Sequence, residues 1–305
     1  MSRASPLVNA RFVRECGKDV HVVDASWHMP ATKRNAKEEY KAKRLPGAKF
    51  FDIDGVKDAA NPAPHMLPST GGMRAAMEAI GVVDGDDRAI VVYDADGMFS
   101  AARAWWMFKV FGREDVYVLD GGAPAYEAAG FEMETGEPAM DVDAAAKACV
   151  QAMALEALTG KRGKDYKGER PELVKSMSDV LENIESAEFQ LVDARNQARF
   201  RGEAAEPRAG VRSGHVPGAR NVFFGDLLNA DKTFKSTDDI RATFVKSGLD
   251  LSGETPIVCS CGTGVTGCIL ALALENIGHQ DVAVYDGSWS EYGADTSAPL
   301  AVGEA

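Results

Sequence analysis

Three of the chain's five cysteines (Cys16, Cys149, Cys259, Cys261 and Cys268) fall within one short stretch, Cys259-Ser260-Cys261-Gly262-Thr263-Gly264-Val265-Thr266-Gly267-Cys268. The β-rich run Pro256–Cys259 leads in, and Thr266–Ile277 reads as a helix, so the stretch is a strand, a tight glycine loop and a helix. Such a loop can turn successive backbone N–H groups inward as an anion nest. The helix N-terminus adds unpaired donors and the positive end of a dipole. A thiol at that mouth, Cys261, is predicted to be held as its thiolate, the nucleophilic form. Gly262 and Gly264 permit positive φ at little steric cost. Cys259, still on the strand, and Cys268, inside the helix, read as small buried apolar residues.

Other chemistries use the same letters. Gly262-Thr263-Gly264-Val265-Thr266-Gly267 fits the dinucleotide fingerprint G-x-G-x-x-G, with a strand before it, a helix after it and Asp286 at a suitable distance. That fingerprint normally opens its domain, whereas only 38 residues follow Gly267. A cysteine phosphatase needs an arginine in the loop to hold phosphate oxygens, and none stands between Cys261 and Gly267. Zinc would require better-spaced cysteines and a fourth ligand, for which His279 is the nearest candidate. No metal is expected.

The elements that position the loop come in two copies. Val22-Val23-Asp24-Ala25 returns as Leu191-Val192-Asp193-Ala194, and Leu45-Pro46-Gly47-Ala48 as Val216-Pro217-Gly218-Ala219. Gly112-Arg113-Glu114-Asp115-Val116 through Gly121 returns as Gly278-His279-Gln280-Asp281-Val282 through Gly287. Strands are predicted at His21–Asp24, Ala89–Tyr93, Val116–Leu119, Phe189–Asp193, Pro256–Cys259 and Val282–Tyr285, and helices at Ser100–Phe111 and Thr266–Ile277. Continuous apolar strands alternating with helices indicate α/β architecture with a mostly parallel sheet in each copy. The domains are placed at 1–136 and 174–305, joined by a linker at 137–173 whose basic, glycine-punctuated middle, 160–168, reads as a solvated loop. At the position of Cys261 the first copy has Asp94 or Ala95, depending on a one-residue gap, so it carries no sulfur nucleophile there. Arg103, Trp105 and Trp106 read as helix packing against the partner domain.

Composition bounds the function. The chain has 305 residues, about two domains' worth. At 45% hydrophobic and 26% charged it is an ordinary globular sequence. A net charge of −12 gives it no general electrostatic reason to bind nucleic acid or an anionic membrane. No apolar run approaches the ~20 residues that span a bilayer. An odd cysteine count argues against a disulfide scaffold and for a reducing compartment such as the cytoplasm. Arg3, Arg11 and Arg14 ahead of the first acid, Glu15, leave a mitochondrial presequence as the alternative.

The loop Cys261-Gly262-Thr263-Gly264-Val265-Thr266 resembles the active loop of the 3-mercaptopyruvate sulfurtransferases, two-domain relatives of rhodanese. The similarity extends to Tyr285-Asp286-Gly287-Ser288-Trp289-Ser290-Glu291-Tyr292, Gly214-His215-Val216-Pro217-Gly218-Ala219 and Phe51-Asp52-Ile53-Asp54. The resemblance implies two tandem rhodanese-like domains, only the second catalytic, with the site in the cleft between them and no cofactor. It implies that Cys261 takes sulfur from 3-mercaptopyruvate as a persulfide and passes it to a thiol acceptor such as thioredoxin, a small thiol or cyanide. Arg199 and Arg208 match the family's substrate-carboxylate arginines, and arginine's planar fork suits that task. The backbone of Gly262, Gly264, Val265 and Thr266 would hold the sulfur.

Asp54, His65 and Thr263 match a carboxylate–imidazole–hydroxyl chain across the cleft; by itself, His65 would read as a solvated loop residue. His215 reads as structural. Thiosulfate-preferring members carry basic residues directly after the cysteine, whereas Gly262 and Thr263 are neutral. Thiosulfate sulfurtransferase and a non-catalytic sulfur-relay module are the alternatives. Cys259 is not required by the family pattern, and the insertion at 160–168 is longer than the family would suggest.

Overall fold

The duplication reappears as two sheets of one topology. The computed structural model describes residues 5–161 and 168–304. Most of the basic insertion and Arg3 therefore lie outside the described residues. The N-terminal half contributes β1 (Leu7–Val8), β2 (Val20–Asp24), β3 (Lys43–Arg44), β4 (Lys49–Phe50), β5 (Ala89–Tyr93), β6 (Val116–Leu119) and β7 (Glu134–Thr135). Five of these pair in parallel in the order β1-β6-β5-β2-β4, while β3 and β7 form a small antiparallel ribbon. The C-terminal half contributes β8 (Val174–Lys175), β9 (Gln190–Asp193), β10 (Arg220–Asn221), β11 (Ile257–Ser260) and β12 (Ala283–Tyr285). Their order, β8-β12-β11-β9-β10, repeats the first sheet strand for strand.

Register settles the alignment that the sequence left open. Asp24 pairs with Tyr93 across β2 and β5, and Asp193 pairs with Ser260 across β9 and β11. Because Asp24 and Asp193 are equivalent, Tyr93 corresponds to Ser260 and the next residue, Asp94, corresponds to Cys261. Every residue of β2 and β11 is buried, as expected where helices cover both faces of a parallel sheet.

Two helices make the domain boundary. All ten residues of Ala101–Val110 are buried, as are the first eight of Gly267–Asn276, and the two helices pack on each other. A helix that is apolar all round must be enclosed on every side. The largest apolar cluster accordingly runs from Trp105, Trp106 and Phe108 to Leu270 and Leu272 without a break. Lys109 on one helix pairs with Glu275 on the other. These two positions correspond under the duplication, so the halves meet about a pseudo-two-fold axis. The duplicated Asp120 and Asp286 obey the same symmetry: Asp120 Oδ1 accepts from Phe234 N at 2.8 Å, and Asp286 Oδ2 accepts from Leu67 N at 2.8 Å. Each domain thus sends one segment over the other's strand ends. His65 and Lys232, two residues before those N–H groups, both hold the left-handed backbone (φ 60° and 69°).

The linker region holds a helix, Ala144–Thr159, that buries Ala145 and Cys149. It packs so closely on helix Thr70–Ala79 that a Cβ on Gly72 would lie 2.7 Å from Met153. Its alanine-rich sequence has apolar residues on all sides, with Val150, Leu155 and Leu158 exposed. No single stripe marked it in the sequence.

Candidate active site

Cys261 directly follows β11 and is 1% exposed. Its N–H donates to Ser288 Oγ at 3.2 Å. The loop carbonyls are held from outside. Cys261 O accepts from Trp289 N (2.9 Å), and Gly262 O accepts from Ser290 N (2.8 Å) and Ser290 Oγ (2.6 Å). Within a trans peptide plane the C=O and N–H point in opposite directions. Anchoring these two carbonyls therefore turns the N–H groups of Gly262 and Thr263 away from helix Ser288–Tyr292. Among the described residues, the N–H groups of Gly262, Thr263, Gly264, Val265 and Thr266 have no hydrogen-bond partner. Five consecutive free donors ahead of helix Gly267–Asn276 form a receptor for negative charge. Cys259 and Cys268 are fully buried, and burial pushes both thiols well up. The Cys268 thiol donates to Gly264 O at 3.2 Å.

The other copy displays what this loop geometry binds. Asp94, the counterpart of Cys261, places its carboxylate in the corresponding loop. Oδ1 accepts from Asp96 N at 2.9 Å, and Oδ2 accepts from the N–H groups of Phe99, Ser100 and Ala101 at 2.8–2.9 Å. Burial pushes this carboxyl up, and the donors of Ala101, Phe99 and Asp96 work against that push. The first domain's nest is filled by its own side chain, while the loop amides of the second have no carboxylate to bind. Asp94→Ala, which leaves four donors of this loop without their acceptor, two of them buried, is expected to cost about 3 kcal/mol or more in denaturant unfolding. An unchanged midpoint would show that water replaces the carboxylate at no cost.

Across the boundary, Asp54 and His65 are brought together. His65 Nδ1 lies 3.1 Å from Asp54 Oδ1, and Trp27 Nε1 donates to Asp54 Oδ2 at 2.7 Å. Trp27 also meets the His65 ring edge-on at 4.9 Å between centroids and stacks on Phe99. Burial would raise the Asp54 carboxyl, but His65, Trp27 and Lys57 outweigh it and hold the group down at about 2. His65 is itself buried, and neither ring nitrogen has an aligned hydrogen bond. The carboxylate–imidazole half of the chain is thus assembled. The imidazole–hydroxyl half is not, because His65 Nε2 makes no hydrogen bond to Thr263 or to any other described residue.

Arg199 stands over the loop: a Cβ on Gly262 would lie 3.1 Å from Arg199 Nη2. It is held by Glu206, with Nη2 to Oε2 at 2.5 Å and Nε to Oε1 at 3.1 Å. Glu206 in turn pairs with buried Arg195, which also grips Asp193 and lies over the Trp289 ring at 4.3 Å. Arg208, half-buried on the same segment, makes no hydrogen bond or ion pair with a described residue, and no contact ties it to the loop. His215 bonds Phe200 O at 2.8 Å and stacks on the Phe200 ring, which gives it a structural part.

Sequence reasoning did not single out Ser288, Ser290, Glu206, Arg195, Trp27 or Asp286 as parts of the site. One signal was available: Arg103 and Lys109 are charges inside a helical stretch that is apolar elsewhere, and such residues require buried partners.

Both halves match the family of rhodanese-like domains, at residues 14–129 and 176–295. The chain is 41% identical over 293 residues to thiosulfate/3-mercaptopyruvate sulfurtransferase 1, mitochondrial, of Arabidopsis thaliana, covering 92% of this chain and 74% of that one. It is 40% identical over 279 residues to the thiosulfate sulfurtransferase of Rattus norvegicus, covering 90% and 86%. The crystal structure of SseA from Escherichia coli, a 3-mercaptopyruvate sulfotransferase, aligns with a TM-score of 0.76 at 34% identity, covering 94% and 99%. Similarity of this extent, spread over both copies of the duplicated fold, makes the chain a member of the rhodanese family, among its two-domain thiosulfate/3-mercaptopyruvate sulfurtransferases.

Proposed function

We propose that the chain moves sulfur from 3-mercaptopyruvate through a Cys261 persulfide to a thiol acceptor and releases pyruvate. The thiolate of Cys261 attacks the donor's sulfur and forms an S–S bond. The C–S bond breaks, its electron pair stays on carbon as the pyruvate enolate, and a proton from the His65–Asp54 side, Thr263 or water completes pyruvate. The acceptor thiolate then attacks the outer sulfur and restores Cys261. The free N–H groups of residues 262–266 stabilise the anionic sulfur at both steps, as an oxyanion hole does for oxygen. Asp54, held ionised, orients His65. Thioredoxin, a small thiol or cyanide suits the acceptor's part, and five unpaired cysteines suit a reducing compartment such as the cytoplasm.

The observation that carries the choice of donor is the neutral pair Gly262-Thr263 at the mouth of the nest, with the carboxylate left to Arg199 and Arg208. The test is the ratio of kcat/KM for mercaptopyruvate and thiosulfate, expected to favour mercaptopyruvate by at least about tenfold, the scale of one charge-assisted contact. The reverse ratio makes the chain a thiosulfate sulfurtransferase, which the similarity to that relative keeps as the second reading. Pyruvate production by the purified chain alone separates either enzyme from a passive sulfur-relay module.

Arg199→Ala and Arg208→Ala are each expected to raise KM for mercaptopyruvate about tenfold with little change in kcat, because they bind a group remote from the reacting sulfur. An unchanged KM in both removes them from the carboxylate site.

A further inference from the structure

The pseudo-two-fold symmetry of the domain boundary breaks at Arg103, which touches the catalytic loop. Asp120 and Asp286 correspond, and each reaches an N–H group in the other domain. Arg103 of helix Ala101–Val110 corresponds to Ile269 of helix Gly267–Asn276, so only the first domain sends a charge across from this site. Arg103 is fully buried. Its Nη1 donates to Gly264 O at 3.1 Å and lies 2.7 Å from Asp286 Oδ1, while its Nη2 donates to His65 O. One guanidinium thus holds the catalytic loop, the His65 segment and the aspartate that grips Leu67.

The two loops differ in how their amides are held. In the first domain the Asp94 carboxylate fixes four N–H groups from inside. The second loop must stay open for a sulfur atom, so its amides can be fixed only through their carbonyls, from outside. Trp289 and Ser290 do this for the peptides that carry Gly262 N–H and Thr263 N–H. Arg103 does it for Gly264 O, the carbonyl whose peptide carries Val265 N–H. The buried side-chain atoms without an aligned partner gather at the same place: His65 Nδ1 and Nε2, Arg103 Nε and Asp286 Oδ1 are four of the five found among the described residues.

We infer that Arg103 is a positioning residue for sulfur transfer, through which the non-catalytic domain aims one amide of the anion nest and locks His65 beside it. The inference rests on the proposed role of Cys261 and deepens it: the first domain sets the reactivity of the second domain's thiol.

The experiment compares Arg103→Lys and the double variant Arg103→Met/Asp286→Asn, which avoids an orphaned buried carboxylate, with the wild-type chain. Two rates are read well below the unfolding midpoint: mercaptopyruvate turnover, resolved into kcat and KM, and alkylation of Cys261 by iodoacetamide at pH 7. In the double variant kcat is expected to fall about tenfold to a hundredfold, at or below the loss of a direct oxyanion donor. KM should stay within about twofold, and alkylation should slow in parallel. Arg103→Lys keeps the charge but cannot span three acceptors, and it should recover part of both rates.

A purely structural part would lower the unfolding midpoint and leave both rates of the folded protein intact. Wild-type kcat and alkylation in either folded variant overturns the inference, and Arg103→Lys decides if the double variant does not fold. Alkylation needs no donor. If the wild-type chain forms no persulfide from mercaptopyruvate, the proposed function fails while the alkylation comparison still judges Arg103.

Discussion

Cys261→Ser is expected to abolish the persulfide and lower mercaptopyruvate turnover by at least about 10⁴-fold, the scale on which removal of a nucleophile acts. Serine keeps the size and the N–H bond to Ser288 Oγ, so the fold should be unchanged. Its hydroxyl, however, is far less acidic than a thiol and supplies no comparable nucleophile at neutral pH. Intact-mass measurement after incubation with mercaptopyruvate should show one added sulfur on the wild type and none on the variant. The flanking thiols make the assay discriminating. Cys259 and Cys268 remain in Cys261→Ser, but burial keeps both protonated, so neither should take over. An added sulfur on the variant would move the nucleophile to one of them.

Gly264→Ala should have the second-largest effect. Gly264 holds φ at +75°, and a Cβ there would lie 2.6 Å from Asp286 O and 2.9 Å from Arg103 Nη1. Neither neighbour can yield cheaply, because one is backbone and the other is fixed by three acceptors. The torsional strain and the collision together are expected to cost about 2–4 kcal/mol of stability. Displacement of the loop amides should lower kcat about a hundredfold in the protein that remains folded. Gly253→Ala is the matched control. Its φ is +85° with nothing within 4 Å of the added methyl, so it should show only the torsional cost, about 1 kcal/mol, with kcat unchanged. Equal kinetic effects in the two variants would mean that left-handed strain, not the shape of the nest, controls activity.

Much of the architecture could be read from the chain because its signals are local. The central strands fall within one residue of their expected bounds, and Ala89–Tyr93 and Val116–Leu119 coincide with them. A wholly buried parallel strand must be continuously apolar, and a glycine loop before a helix has few alternatives. The two-residue strands at the sheet edges and helix Ala144–Thr159 were not legible. Short edge strands have no periodicity, and that helix has no apolar stripe.

The site divides along the same line. Sequence alone determined that one loop bears the thiol, that its first-domain counterpart bears none, and that the chain is two copies of one unit. Those are facts of residue identity and order. Only the tertiary structure decided that Asp94, not Ala95, is the thiol's counterpart and that its carboxylate fills the other nest. Only it showed that Asp54 reaches His65, that His65 stops short of Thr263, and that Arg199 is held over the loop by Glu206 while Arg208 is not. Most of these depend on how residues apart in sequence meet within one domain, and the relation of His65 to Thr263 depends on how the two sheets dock. The docking is set by apolar packing of the helices Ala101–Val110 and Gly267–Asn276, with Lys109 paired to Glu275 and buried Arg103 reaching Gly264 O of the thiol's loop.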